Sequence, residues 1–356
     1  MNSNRTIINN PRQDFCYHVH TRRCGHAEDV SDEQYVIQAI KGGIKRLAFT
    51  DHIPTPTPDY IKTTRKVRMH ITKVKSYLDS IEYLKEKYKG QIDIESGFEF
   101  EYSDDLEKHL MYLKSITNKM ILGQHFVVDK NGNKYVFKDG IVSDKVLDLY
   151  AKAIITAMDK GLPDIIAHPE RFMISRESFG EKEEEISRLI CRKAVETGIP
   201  LEINMGEPLD NLKESNMSTN ELRKKVAYPS REFWKIVLDE SKKAVKSGKN
   251  PIKVVYGKDA HSSDRMLETK DFELVNKIIG TDILKQLYFA KSDLKTYNKE
   301  LIRQIDLDDK SSCNSQIVLS PKTVRAFARE PNVAIEKIDS KVSISNLERS
   351  KGTRTH

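Results

Sequence analysis

A chain of 356 residues, 38% hydrophobic and 32% charged, has room for one large domain or two ordinary ones around a substantial apolar core. Lysine and arginine outnumber aspartate and glutamate by 60 to 53, but the signs are interleaved, and residues 310–356 alone hold nine basic and four acidic side chains; the charge therefore gives little support for a nucleic-acid partner. No apolar run reaches the length of a membrane span, the opening MNSNRTIINN has no apolar segment, and the four cysteines (Cys16, Cys24, Cys191, Cys313) contain no C-x-x-C pair. These features point to a cytoplasmic protein with reduced thiols and exclude a disulfide framework and a thiolate zinc site.

Seven β-rich runs alternate with helical patterns from residue 15 to about residue 290: FCYHVH (15–20), RLAFT (46–50), IDIESGFEF (92–100), MILGQH (120–125), DIIAH (164–168), PLEIN (200–204) and KVVYG (253–257). The first helix starts at a possible capping box of Ser31 and Gln34, and Gly42 with Gly43 can supply the left-handed turn after its end. Ile71, Val74, Leu78, Ile81 and Leu84 recur at the helical period, and residues 143–160, 181–197 and 230–247 read as further helices, with Gly161 and Gly198 closing the first two. Repeated strand–helix units imply parallel strands with right-handed crossovers. No G-x-G-x-x-G follows the first strand, so a closed barrel is favoured over a dinucleotide-binding sheet. Beyond residue 305 the pattern fades into a polar connector and a basic tail with too few large apolar residues for a core of its own. The expected division is a catalytic domain over 14–295 and a weakly structured extension over 305–356.

The strands carry their polar residues at their C-terminal ends. His18 and His20 close the first, Asp51 and His52 follow the second, Glu99 lies on the third, His125 and His168 end the fourth and fifth, Asn204 ends the sixth, and Asp259 and His261 follow the seventh. In a parallel barrel these positions meet at one rim, where active sites are built. Seven of the ten histidines (His18, His20, His26, His52, His125, His168, His261) fall there; His70, His109 and His356 have plain readings as a helix start, part of an amphipathic stretch and the terminus. One histidine would most simply be a surface or hydrogen-bonded core residue, but seven together call for another reading. His18 and His20, one residue apart on a strand, face the same side and can grip one ion. Oxygen and nitrogen donors without thiolate suit zinc, manganese or iron, and nine candidates exceed what one ion can use, so a multinuclear site is inferred. Such ions lower the pKa of a shared water and clamp phosphoryl oxygens, which is the chemistry of phosphoester or amide hydrolysis. No Ser-His-Asp arrangement or nucleophile elbow competes with it.

Taken in order, YHVHT, CGHA, FTDHIP, SGFEFEY, LGQHF, AHPERF and GKDAHS resemble the successive motifs of the PHP (polymerase and histidinol phosphatase) superfamily over about residues 14–270. HTRRCGHA, EQYVIQAIKGGIKRLAFTDHIP and YLDSIEYLKEKYKGQIDIESGFEFEY are most similar to its histidinol-phosphate phosphatase branch. The resemblance implies a distorted (β/α)7 barrel, TIM-barrel-like, with three divalent metal ions (Mn, Zn or Fe). It implies that His18, His20, Glu99 and Asp259 hold one ion, that Glu99 bridges to a second completed by His125 and His168, and that His26, His52 and His261 hold the third. A metal-bridging hydroxide would attack phosphorus. Asp259, Glu99 and His261 are the catalytic candidates, Asp259 as the group assisting proton transfer.

Four basic residues are candidates to bind substrate. Arg171, three residues after His168, could grip phosphate in a bidentate manner or form a salt bridge to Glu170 or Glu202. Arg22, Arg23 and Lys258 could face the ligand or be solvated surface charges. Asp51 could orient a neighbouring imidazole or cap a helix. The expected function is a cytoplasmic phosphomonoesterase that hydrolyses L-histidinol phosphate to L-histidinol and phosphate in histidine biosynthesis. Its partner would be a small phosphorylated metabolite, without nucleic acid or membrane. AHPERF also resembles bacterial phosphotyrosine phosphatases of the same superfamily, so phosphotyrosine, nucleotides or nucleic-acid ends are alternative substrates, and a non-catalytic metal-binding module is the alternative of another class.

Overall fold

The computed structural model describes residues 13–54, 67–210, 212 and 216–290. The expected extension over 305–356 lies outside the described residues, as do Cys313 and His356. Eight strands form one sheet in which every pairing is parallel: β1 (Phe15–Cys16), β2 (Arg46–His52), β3 (Asp93–Phe100), β4 (Lys119–Leu122), β7 (Ile165–Ile166), β8 (Leu201–Asn204), β9 (Lys253–Gly257) and β10 (Tyr288–Phe289), in that order across the sheet. The hairpin of β5 (Phe126–Val128) and β6 (Lys134–Val136) stands apart as an antiparallel pair just after His125.

The sheet closes on itself. Val19 pairs in parallel with Ala260; Ala260 N–H donates to His18 O at 3.1 Å, and His20 N–H donates to Ala260 O at 2.9 Å. At the other end of the seam the Gln13 side chain stands in for a strand: its Nε2 donates to Tyr256 O at 2.7 Å and its Oε1 accepts from Tyr256 N–H at 2.8 Å. Seven strands thus make the distorted barrel, with β10 laid against the first half of β9. The reading of the first strand as 15–20 needs correction. Its ladder stops at Cys16, and Phe15 and Tyr17 belong to an all-strand cluster with Ala48, Ile121, Ile165, Ala167 and Val255, whereas Cys16 and Val19 pack in the helix-bearing core. His18 and His20 also reach the inside, so inward parity changes between Tyr17 and His18, where the regular ladder is interrupted.

Helices cover the outside: α1 (Asp32–Lys41), α2 (Val74–Lys87), α3 (Glu107–Ile116), α4 (Asp144–Asp159), α5 (Glu181–Thr197), α6 (Thr219–Lys225), α7 (Arg231–Lys246) and α8 (Lys270–Ile279). The longer ones present an apolar stripe at the helical period, whereas α6 buries only Leu222. In α4 the stripe comprises Val146, Leu147, Tyr150, Ala151, Ile154, Ala157 and Met158, and each such large side chain removed from water contributes about 1.5–3 kcal/mol before entropy is counted. The expected ends are close to the observed ones, with one difference at α1, at its start. The Ser31 side chain makes no capping hydrogen bond; at the far end the left-handed residue is Gly43 (φ 79°), while Gly42 keeps helical φ at −74°. No described helix is long and apolar enough to cross a membrane.

Candidate metal centre at the strand ends

Glu99 lies at the middle of the rim. Parallel pairing sets it beside His52 of β2, and its carboxylate is almost wholly buried. The two oxygens face different imidazoles. Oε2 is 3.6 Å from His18 Nε2, 3.5 Å from His20 Nε2 and 2.9 Å from His52 Nδ1; Oε1 is 3.0 Å from His168 Nε2 and 3.5 Å from His125 Nε2. Asp259 Oδ1 completes the first side at 3.3 Å from His18 Nε2 and 3.2 Å from His20 Nε2. His26, His52 and His261 gather beside them, with ring centroids 4.4 Å apart for His26 and His261 and 5.4 Å for His26 and His52.

All nine rim residues are therefore brought together as one continuous cluster. Donor atoms within 4.8 Å of one another occur in the sets His18–His20–Glu99, His18–His168–Asp259, His52–Glu99–His125, His26–His52–His261 and His20–Cys24–His261. His52 takes part in two of these, so it stands between the Glu99 group and the His26–His261 group.

The donors fit divalent ions. Buried atoms without a hydrogen-bond partner include His18 Nε2, both ring nitrogens of His20, His52 Nδ1, Glu99 Oε2, His168 Nδ1 and His261 Nε2. Each would cost on the order of 1–3 kcal/mol if nothing satisfied it. Protonation favours metal binding at three of the imidazoles, whereas at His18 burial is overcome by the carboxylates of Glu202, Asp259 and Glu99, which raise it well above the ordinary value, so that a metal there would displace its proton. Burial, aided by neighbouring His261 and His52, holds His20 well below the ordinary imidazole value and His26 at about 4, and burial takes His125 to about 3. Neutral imidazoles are the form that binds metal. Burial would push Glu99 up, but the imidazoles of His52, His125 and His18 overcome it and keep the carboxylate ionised; His18, His20 and His261 do the same for Asp259.

A ring of supporting groups fixes the donors, and of these Glu202 and Arg68 were not apparent from sequence. Glu202 Oε2 accepts from His18 Nδ1 at 2.8 Å, which aims Nε2 at Glu99 and Asp259. Asn204 Nδ2 donates to Glu202 Oε1 at 2.9 Å and to Asp259 Oδ2 at 3.2 Å. Glu101 Oε1 accepts from His125 Nδ1 at 2.8 Å and also from the buried Arg68. The available signal was strand parity: Glu101 shares a face with Glu99, and Glu202 shares one with Asn204. His168 (φ 29°) and Asp259 (φ 46°) are the two non-glycine residues with positive φ among the described residues, so backbone strain falls on two candidate ligands. Gly123 and Gly257 are required by close approach. A Cβ on the first would fall inside the Glu99 carboxylate, and on the second inside that of Glu202.

The basic candidates divide. Arg171 is buried; one terminal nitrogen donates to Tyr228 Oη at 2.7 Å, Nε has no partner, and no ion pair to Glu170 or Glu202 forms. Glu170 accepts instead from Ser230 and Trp234. Of the other three, Arg23 and Lys258 are committed to other groups and need correction as substrate ligands, while Arg22 is a surface charge. Arg22 is 55% exposed and pairs with Asp29, Arg23 donates at 2.7 Å to both oxygens of Asp32, and buried Lys258 donates to Glu268 O with Asp271 at 3.7 Å. Asp51 neither orients an imidazole nor caps a helix. Its oxygens accept from Thr21 N–H and Oγ1, both at 2.5 Å, and so fix the chain just after His20.

A profile of the PHP domain matches residues 17–206, more than half of the chain and the stretch that carries seven of the nine rim residues. The chain belongs to the PHP family. Among curated PHP relatives, the histidinol-phosphatase of Bacillus subtilis (strain 168) is 30% identical over 116 residues, 31% of this chain and 43% of that protein. A probable histidinol-phosphatase of Deinococcus radiodurans is 31% identical over 91 residues, 26% of this chain and 33% of that protein. The match thus spans less than half the length of either. Two solved PHP structures share the fold. One is a putative histidinol phosphatase from Listeria monocytogenes (TM-score 0.55, 18% identity, 70% of this chain and 96% of that one). The other, histidinol phosphate phosphatase from Lactococcus lactis, was solved in complex with zinc, L-histidinol and phosphate (TM-score 0.54, 16% identity, 80% and 98%).

Proposed function

We propose that this PHP protein is a metal-dependent phosphomonoesterase whose substrate is L-histidinol phosphate, cleaved to L-histidinol and phosphate. The observation that carries the reading is the set of buried, unpartnered imidazole and carboxylate atoms around Glu99, flanked by a buried arginine without a carboxylate partner. His18, His20, Glu99 and Asp259 would hold one ion, Glu99, His125 and His168 a second, and His26, His52 and His261 a third. Bound divalent ions would supply a water acidified toward neutral pH and positive charge against the phosphoryl oxygens. Arg171 binds phosphate through nitrogens not committed to Tyr228, and Asp259, beside His18 and His20, would assist proton transfer. Glu99 and His261 act by keeping the donor set in place around the reacting phosphorus. The likeness to histidinol phosphatases supports the substrate, and with it a place in histidine biosynthesis in the cytoplasm.

The test is a panel of histidinol phosphate, phosphotyrosine and nucleotides, with bound metal measured on the same sample. Histidinol phosphate should lead by kcat/KM. A different leader removes the substrate assignment and leaves the reaction class standing. Absence of turnover at full metal loading favours the non-catalytic module.

A further inference from the structure

We infer that Tyr228 is the positioning residue that aims Arg171 at the phosphoryl group, an inference that rests on the reading of Arg171 as the phosphate ligand. Tyr228 is 1% exposed, and its Oη accepts from an Arg171 terminal nitrogen at 2.7 Å. Its ring lies 5.9 Å from the Arg171 guanidinium carbon and 5.9 Å from the centroid of the His168 ring, a candidate ligand. The tyrosine therefore reaches the site from a different strand–helix unit from the one that carries Arg171.

The two units are latched together by Glu170, which sits between His168 and Arg171 in the chain. Its Oε2 accepts from Ser230 N–H at 2.9 Å and from Ser230 Oγ, and its Oε1 accepts from Trp234 Nε1 at 2.7 Å. These contacts fix the start of α7 two residues after Tyr228. Tyr150 Oη donates to Pro169 O at 3.0 Å, and Arg171 N–H donates to His168 O at 2.9 Å, so the arginine backbone is held as firmly. The identity of the orienting group matters. A carboxylate in place of Tyr228 would fix the guanidinium but neutralise its charge, whereas a phenol oxygen fixes one nitrogen and leaves the full positive charge and the unpartnered Nε for an anion.

The experiment measures inorganic phosphate affinity by calorimetry on full-length, metal-loaded protein, beside KM and kcat for a phosphomonoester that the wild type turns over. Tyr228→Phe keeps the ring and removes the acceptor, and should weaken phosphate affinity and raise KM about fivefold, as loss of one such hydrogen bond implies, with kcat and metal content nearly unchanged. Arg171→Ala should weaken phosphate binding further, and Tyr228→Phe added to it should cost clearly less than it does in the wild type, because the phenol's effect on phosphate runs through the arginine. Additive losses, or a Tyr228→Phe protein that binds phosphate as tightly as wild type while Arg171→Ala does not, would overturn the role of Tyr228 alone. An Arg171→Ala protein with wild-type phosphate affinity would overturn the reading of Arg171 beneath it. Melting temperature and metal content of each variant separate misfolding from either result.

Discussion

His109 and His125 are both half-buried imidazoles, and the direction of their ring nitrogens separates their roles. His109 Nε2 is satisfied by Pro54 O at 2.7 Å, and burial lowers its pKa; it ties α3 to the chain after β2. His125 has Nδ1 on Glu101 and Nε2 toward Glu99. His109→Ala should cost about 1 kcal/mol of stability, seen in denaturant unfolding, and leave turnover intact. His18→Ala or Glu99→Ala should abolish turnover. Glu202→Gln keeps its shape but weakens its hold on His18, so metal affinity should fall about 10- to 100-fold in a chelator competition; an unchanged affinity would show that His18 needs no such orientation. The rim residues were legible in sequence because strand ends of a parallel barrel share a rim and H-x-H fixes a shared side. Glu202 and Tyr228 were harder to read because their roles depend on which strand or loop lies opposite, whereas Glu101 beside Glu99 and Asn204 at a strand end were within reach of the sequence. Arg23 and Lys258 misled for the same reason: proximity in sequence to His20 and Asp259 says nothing of Asp32 or Glu268, which claim them.

Strand and helix ends decide how well the donors are held. β4 stops at Leu122, and Gly123 then passes so close to the Glu99 carboxylate and the His168 ring that no side chain fits. Gly123→Ala should therefore displace Glu99 and reduce bound metal, with a smaller effect on helix content by circular dichroism than on metal per chain. At the outer layer, α7 begins at Ser230, whose Oγ accepts from Phe233 N–H at 3.3 Å, and Arg231 pairs with Asp282 at 2.6 Å. That contact lowers the Asp282 carboxyl to about 2. Because the folded value lies below the unfolded one, about 3.9, the pair stabilises the fold above that pH, and the contribution is lost as pH falls through about 2. Both groups are substantially solvated, so the effect is small and salt-sensitive. Asp282→Asn should lower Tm slightly at pH 6, with the gap narrowing toward pH 3; a constant gap would deny the pairing. Element type was readable from period, as in α4 and α7, whereas the hairpin β5–β6 and β10 were missed because short pairs of two or three residues leave no period to read.

At the scale of the whole molecule, a parallel barrel brings residues from 18 to 261 to one end, which no local segment could do. Alternation of strand and helix predicted this, but the means of closure was not visible: a parity change after Tyr17, the Val19–Ala260 bridge and a glutamine side chain acting as a strand. The rim gains seven histidines and two carboxylates, and buried atoms of five of the histidines and of Glu99 lack protein partners, so bound ions should stabilise the fold as well as support turnover. The most direct measurement strips the purified protein of metal and adds manganese or zinc back in steps, following bound metal per chain, Tm and phosphomonoester hydrolysis together. The stripped protein should show no turnover, and rate and Tm should rise together as occupancy approaches three ions per chain. Hydrolysis that persists after the metal is gone would contradict it.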